Sequence, residues 1–257
     1  MRFGCCVGTR EQMDILARAG FDFCELPAPA VHPFEDDATA AQALRILETA
    51  SLRPESFNVL IPPVLPLVGP KADRAALQAY LSRAFGRMVR LGARVAVLGS
   101  GGARRIPADM PRDQALDQLA SSLAVALEEA TQTGIVLALE HLSRRETNVF
   151  NSVAETQSFI TERGLTGMRL LVDLHHLEFE HEPMDHVQLA GALIAHVHVA
   201  DGERRAPGAG GYHYAEFMSA LRQAGYDQRI SAECQWEDLA TQASSALDFM
   251  RRSWERS

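Results

Sequence analysis

The chain has 257 residues, 47% of them hydrophobic and 23% charged, a globular balance that excludes a disordered polypeptide and allows a core large enough to need no staple. Its 33 acidic residues outnumber 25 Lys and Arg, and the net charge of −8 argues against a nucleic-acid partner, which would leave a basic footprint. Cys5, Cys6, Cys24 and Cys234 form no CxxC pair, and no signal region or bilayer-length apolar run is present, so reduced thiols, no membrane partner and a cytoplasmic location are expected.

Short apolar runs alternate with longer amphipathic stretches. Phe3 to Val7 reads as the first strand, followed by a helix from about Thr9 to Ala19, where Thr9 and Gln12 have capping-box spacing and Gly20 stops the helix. Phe21 to Leu26 is the second strand and Asp37 to Ala50 the second helix; Glu55 to Ile61, closed by Pro62 and Pro63, is the third strand, with a helix from about Ala72 to Leu91. Arg94 to Leu98 precedes a fourth helix that starts near Pro111, a favoured first helical position, and ends before Gly134. The second half continues with strands at Ile135 to Glu140, Met168 to Asp173, Ala195 to Val199 and Arg229 to Cys234. Its helices are Val153 to Arg163, about Met184 to Leu193, Tyr214 to Ala224 and Glu237 to Trp254.

Eight strand–helix units with doubly buried strands imply a parallel sheet, and eight units suggest closure into a (β/α)₈ TIM barrel. A doubly wound open sheet is the alternative, but no GxGxxG follows the first strand. No composition break divides the chain, so residues 1–257 are expected to form a single domain.

The last four strands each deliver a polar group to their C-terminal lip: Glu140, Asp173, the pair His196 and His198, and Glu233. In a barrel these lips converge on one mouth. One carboxylate there is ordinarily a helix cap or the partner of an arginine. Four such groups on consecutive strands are harder to explain so, because three facing carboxylates repel unless a cation joins them. Three carboxylates and one imidazole suit one divalent ion, Mn²⁺ foremost, with Mg²⁺, Co²⁺ and Zn²⁺ as alternatives, and leave about one net negative charge. His198, nearer the lip, is assigned as the ligand and His196 as a supporting residue. Around the mouth, Arg104–Arg105, Arg144–Arg145 and Arg204–Arg205 could meet an anion, although offsetting the acidic site or facing solvent is the preferred reading for most of them. Glu146, Asn148, His175 and His176 lie within reach of the mouth and could serve a sugar's hydroxyls.

The stretches ALEHLSRRETNVFNS, VDLHH, HVHVADGERRAPG and SAECQW resemble the xylose-isomerase-like TIM-barrel superfamily, and within it the ketose 3-epimerases of the D-tagatose and D-psicose type. The layout is similar over most of the chain; the specific motifs lie in its second half. The resemblance implies a metal on Glu140, Asp173, His198 and Glu233, substrate contacts from Glu146, His176 and Arg204, and acid–base roles for Glu140 and Glu233. It also implies a sugar or sugar-phosphate substrate and a homodimer or homotetramer. Hydroxypyruvate isomerases and inosose dehydratases share much of this metal set, and an endonuclease IV-like DNA-repair enzyme is a more distant alternative. Chemically, a metal on a carbonyl and its neighbouring hydroxyl stabilises an enediolate while a carboxylate removes the α-proton. Return of the proton by a second carboxylate on the opposite face inverts the carbon.

Overall fold

A computed structural model describes residues 1–257. Eight parallel strands close in sequence order, β1-β2-β3-β4-β5-β6-β7-β8, with β1 also paired to β8 through Arg2↔Arg229 to Cys5↔Ala232. The strands are β1 Arg2–Cys6, β2 Phe23–Pro27, β3 Pro54–Asn58, β4 Val95–Leu98, β5 Val136–Glu140, β6 Arg169–Asp173, β7 Ile194–Val199 and β8 Arg229–Ala232. The chain is therefore a single-domain (β/α)₈ barrel. No helix is long and apolar enough to cross a membrane.

The local chemistry follows the reading of the sequence closely. Helix α1, Arg10–Ala19, starts on the Thr9/Gln12 capping box and stops at left-handed Gly20. Helix α2 is Asp37–Glu48, α3 is Arg74–Leu91, α4 is a single turn at Gly101–Arg104, and α5 is Arg112–Thr133 with Pro111 one place earlier than expected, at the cap. Helix α6 is Val153–Glu162. The main departure comes next. A helix α7, Leu174–Glu180, begins directly after β6, because Asp173 Oδ1 accepts the backbone N–H of His175 at 2.8 Å and caps it. Left-handed His181 ends it, Pro183 precedes α8, Asp185–Ala190, and residues 191–193 form a 3₁₀ turn that begins at the positive-φ Gly191, so the helix expected over 184–193 is a short helix followed by a turn. Helices α9, Tyr214–Gln223, and α10, Leu239–Glu255, complete the ring. Strand β8 ends at Ala232, and Glu233 lies just beyond it, still held to β7 by its N–H to the Val199 carbonyl at 2.9 Å.

The main apolar core lies between barrel and helices. Inside the barrel, side chains alternate inward with period two. On the β4–β6 side the interior is apolar, with Val95, Val97, Ala138 and Leu171 in contact. On the opposite side it is polar and equally buried, with Glu25, Ser56, His196 and Ser231. The same inward rows, one step further along, end at the mouth in Asn58, Glu140, Asp173, His198 and Glu233.

Candidate active site

Glu140, Asp173, His198 and Glu233 each place one ligand atom within 4.8 Å of the others. His198 Nδ1 lies 3.6 Å from Glu140 Oε1 and 3.5 Å from Glu233 Oε2. Glu140 Oε1, Asp173 Oδ2 and His198 Nδ1 are buried and have no hydrogen-bond partner. An unsatisfied buried polar atom costs about 1–3 kcal/mol, so three converging on one point call for a shared partner. Three carboxylate oxygens and an imidazole nitrogen fit one divalent ion. Asp173 serves twice, since its other oxygen caps α7.

The electrostatics without an ion express the same strain. Burial pushes Glu140 up to about 7, with repulsion from Glu233 and Asp173 adding to it against the pull of His198. Burial also raises Glu233, but His198 and Arg204 outweigh it and hold that carboxyl at about 2. Burial opposes a charge on His198, yet Glu25 and Glu233 overcome it and raise the ring well above the ordinary histidine range.

Glu146, His176 and Arg204 stand over these four groups. Arg204 Nη1 donates to Glu233 Oε2 at 2.8 Å, and its Nη2 lies 3.4 Å from Glu146 Oε1 and 3.2 Å from His176 Nε2. His176 Nδ1 accepts the Ser143 N–H at 3.2 Å, which leaves the proton of the neutral ring on Nε2, 3.5 Å from Asp173 Oδ2, so the approach of Arg204 Nη2 to that nitrogen is a packing contact between two donors. Burial and the Arg204 charge keep His176 neutral by holding its pKa well below the usual value. The cavity between these groups has a volume of about 440 Å³, and only 3 of its 14 lining residues are hydrophobic. Such a lining suits a small, polyhydroxylated molecule.

Of the six arginines near the mouth, only Arg204 reaches the acidic cluster. Arg104 is fully buried and bonds the carbonyls of Glu140 at 2.7 Å and Leu98 at 3.3 Å from below. Arg105 holds the Glu146 carbonyl at 2.6 Å. Arg144 pairs with Glu180, and Arg145 stacks on Phe179 with its guanidinium 4.3 Å from the ring centre. Arg205 bonds the Gly202 and Gly210 carbonyls, both at 3.0 Å, and so braces the loop of Arg204. That loop turns through two left-handed residues, Glu203 and Arg204, at φ 60° and 55°. Buried Asp201 fixes it by accepting the N–H groups of Gly208 at 2.8 Å and Gly210 at 2.9 Å. Asn148 pairs with the backbone of Ile106 on both sides, and His175 bonds Tyr212 Oη, so neither faces the cluster.

A family model described as xylose isomerase-like TIM barrel matches residues 13–253. The chain belongs to that family. Among its relatives, the D-psicose 3-epimerase of Agrobacterium fabrum is 27% identical over 228 residues, 85% of this chain and 76% of the relative. The L-ribulose 3-epimerase of Methylomonas sp. is 26% identical over 258 residues, 97% of this chain and 87% of the relative. A solved D-psicose 3-epimerase crystallised in the presence of D-fructose superposes with a TM-score of 0.85 at 21% identity, covering 99% of each chain.

Within this family member, four residues of the site escaped the reading of the sequence. Gly99 lies against the Glu140 carboxylate: a Cβ there would sit 2.3 Å from Oε2. Asn58 Nδ2 donates to Glu233 Oε1 at 3.2 Å and to Cys6 Sγ at 3.4 Å. Glu25 bonds both strand-seven histidines. Two signals were available. Asn58 ends β3 as Glu140 ends β5, and Glu25 is a lone acid between Cys24 and Leu26 inside an otherwise apolar strand. Neither Cys6 nor Gly99 carries a comparable mark.

Proposed function

We propose that this chain is a metal-dependent ketose 3-epimerase acting on an unphosphorylated sugar. The observation that carries the reading is the convergence of Glu140, Asp173, His198 and Glu233, three of them with orphaned buried ligand atoms, beneath one polar cavity. The names and coverage of the relatives support it. These four residues would hold one divalent ion, with Mn²⁺ the favoured identity on a hard, oxygen-rich donor set. When bound, the ion polarises the substrate carbonyl and offsets the charge that develops as the α-proton leaves.

The chain's own residues do the rest. Strands β5 and β8 lie three steps apart around the ring, so Glu140 and Glu233 approach one carbon from different sides. One takes the proton and the other returns one, which inverts the carbon. Glu146, neutral His176 and Arg204 orient the hydroxyls at the mouth. The remaining arginines of the rim are bonded to backbone, to Glu180 or to Phe179, and Arg204 already meets Glu233. Arg204 is the one arginine lining the cavity and it is already engaged by Glu233, which favours an uncharged ketose.

The test is turnover of a panel of ketoses, ketose phosphates and hydroxypyruvate in D₂O with Mn²⁺ present, followed by NMR. A two-base 3-epimerase places deuterium at the inverted carbon of the product, with little return into recovered substrate early on. Equal early label in substrate and product, or transfer between carbons with retention of the original proton, refutes the two-face assignment in favour of a one-base isomerase. Turnover confined to phosphorylated sugars refutes the substrate class.

A further inference from the structure

The polar half of the barrel interior is built around one side chain. Glu25, in the middle of β2, is fully buried, and its two oxygens face only donors. Oε2 lies 2.6 Å from His196 Nε2, 2.7 Å from Ser56 Oγ and 2.8 Å from Ser231 Oγ. Oε1 lies 2.8 Å from His198 Nε2. No lysine or arginine pairs with it; its ion-pair partners are the two histidines.

A buried carboxylate is costly even when histidines pair with it, and replacing such a group by well-packed apolar residues is often neutral or stabilising. The β4–β6 side of the same interior is filled in just that apolar way. Stability therefore does not account for Glu25. Its position does. It sits directly behind His198, on the opposite edge of the ring from Glu140 and Glu233. An imidazole has two nitrogens, and only a ring whose proton is on Nε2 can offer Nδ1 as a ligand while neutral. The orphaned Nδ1 of His198 faces the ligand cluster, and the Nε2 edge is taken by Glu25.

We propose that Glu25 is a positioning residue for the metal centre: by accepting the Nε2–H of His198 it fixes the ring plane and makes Nδ1 the nitrogen presented to the ion. The inference rests on the metal-site reading above, not on the identity of the sugar. His196, Ser56 and Ser231 hold Glu25 in turn. They saturate Oε2, so that Oε1 is the oxygen left for His198. Two of these struts, Ser56 and Ser231, are small residues in register with Glu25 and His198 respectively, which leaves room for the carboxylate to reach across from β2 to β7. Carboxylates placed behind a ligating histidine set its orientation and basicity, and their loss typically lowers metal affinity about 10–100-fold.

Glu25→Gln keeps the shape of the side chain but replaces one acceptor oxygen by a donor NH₂. That group cannot accept the Nε2–H of His196 or His198, and only the hydroxyls of Ser56 and Ser231 can turn to accept from it. Two measurements test the idea without any assay of turnover. The first is calorimetric titration of the metal-free wild type and of Glu25→Gln with Mn²⁺. The expected result is a cooperatively melting variant with the far-ultraviolet circular dichroism of the wild type and an affinity about 10–100-fold weaker. Equal affinities overturn the proposal. The second is ¹⁵N-edited NMR of the histidine side chains in the wild type, with Mg²⁺ and without it. The expected result is a slowly exchanging Nε2–H on His198 in both states, lost or shifted in the variant. A His198 ring that carries its proton on Nδ1 with a bare Nε2 overturns the proposal, and this wild-type measurement needs no variant to fold. Failure of the wild type to bind Mn²⁺ strikes at the metal-site reading itself, and the NMR result then decides the role of Glu25 toward His198 on its own.

Discussion

The contact between Gly99 and Glu140 offers a one-carbon test of the site. A methyl group at position 99 would lie 2.3 Å from Glu140 Oε2 and 3.4 Å from its Cδ, and Leu142 Cδ2, at 3.7 Å, closes the space beside it. Ordinary van der Waals separation is roughly 3.5 Å, so the carboxylate must withdraw by about 1 Å. The backbone at Gly99 is not in the left-handed region, so alanine there carries no dihedral penalty, and loss of glycine's freedom in the unfolded chain offsets part of any strain. Gly99→Ala should therefore fold normally. A catalytic group displaced by about 1 Å can cost on the order of 100-fold in rate, equivalent to about 2.7 kcal/mol of transition-state stabilisation. We expect kcat/KM for the preferred ketose to fall by about that factor, with weaker Mn²⁺ binding, as read by chromatographic product analysis and calorimetry. Gly86→Ala, on the exposed face of α3 with nothing within 4 Å of the added carbon, is the control. It should gain about 0.5–1 kcal/mol in denaturant unfolding with unchanged kinetics. Wild-type kcat/KM and metal affinity in Gly99→Ala would refute the claim that Glu140 acts from the position it occupies.

Uptake of the ion should release protons. Burial lifts Glu140 to about 7, and Glu25 and Glu233 raise His198, so at pH 6 both hold protons that a cation must displace. Affinity should then rise as pH increases from 6 toward 8, with proton release detected by calorimetry in buffers of different ionisation enthalpy; none at pH 6 would contradict the shifts. Arg204→Ala should lose turnover by about 100-fold or more while keeping its ion. Removing its 2.8 Å bond to Glu233 should lower the melting temperature of the metal-free protein more than that of the loaded one, since the ion takes over the compensation of the acids. Unchanged kinetics in that variant would return Arg204 to a purely structural role.

The sequence made the strands and the lip residues legible for one reason: an apolar run that stops at a carboxylate or imidazole is visible locally. The offsets Glu146, His176 and Arg204 were carried by resemblance rather than by periodicity. Glu25 was hidden because its meaning depends on His196 and His198, 171 and 173 residues away, and no local pattern connects them. Helix α7 was hidden because its cap is Asp173, a residue already assigned to another task. The buried Arg104 looked like half of a surface pair; only the fold reveals that it holds the carbonyl of Glu140 from beneath. The helices at 174–180 and 185–190 are parted by left-handed His181 and by Pro183, a break that a period of 3.6 passes over when the flanking segments are each under two turns.

Closure between β1 and β8, reinforced by Arg251 on the Gly20 carbonyl at 2.9 Å, also sets an order of events during synthesis. A ribosome delivers β2, with its acid, long before β7 and β8 bring the histidines and Ser231 that meet it. Until then the chain carries two unpaired strand edges and a carboxylate with no interior place to go. The four ligand candidates span Glu140 to Glu233, so no N-terminal fragment ending before β8 can assemble them. Metal retention is in this sense a report that translation has run through the last strand, and a chain released early is left with open edges for quality-control machinery to find.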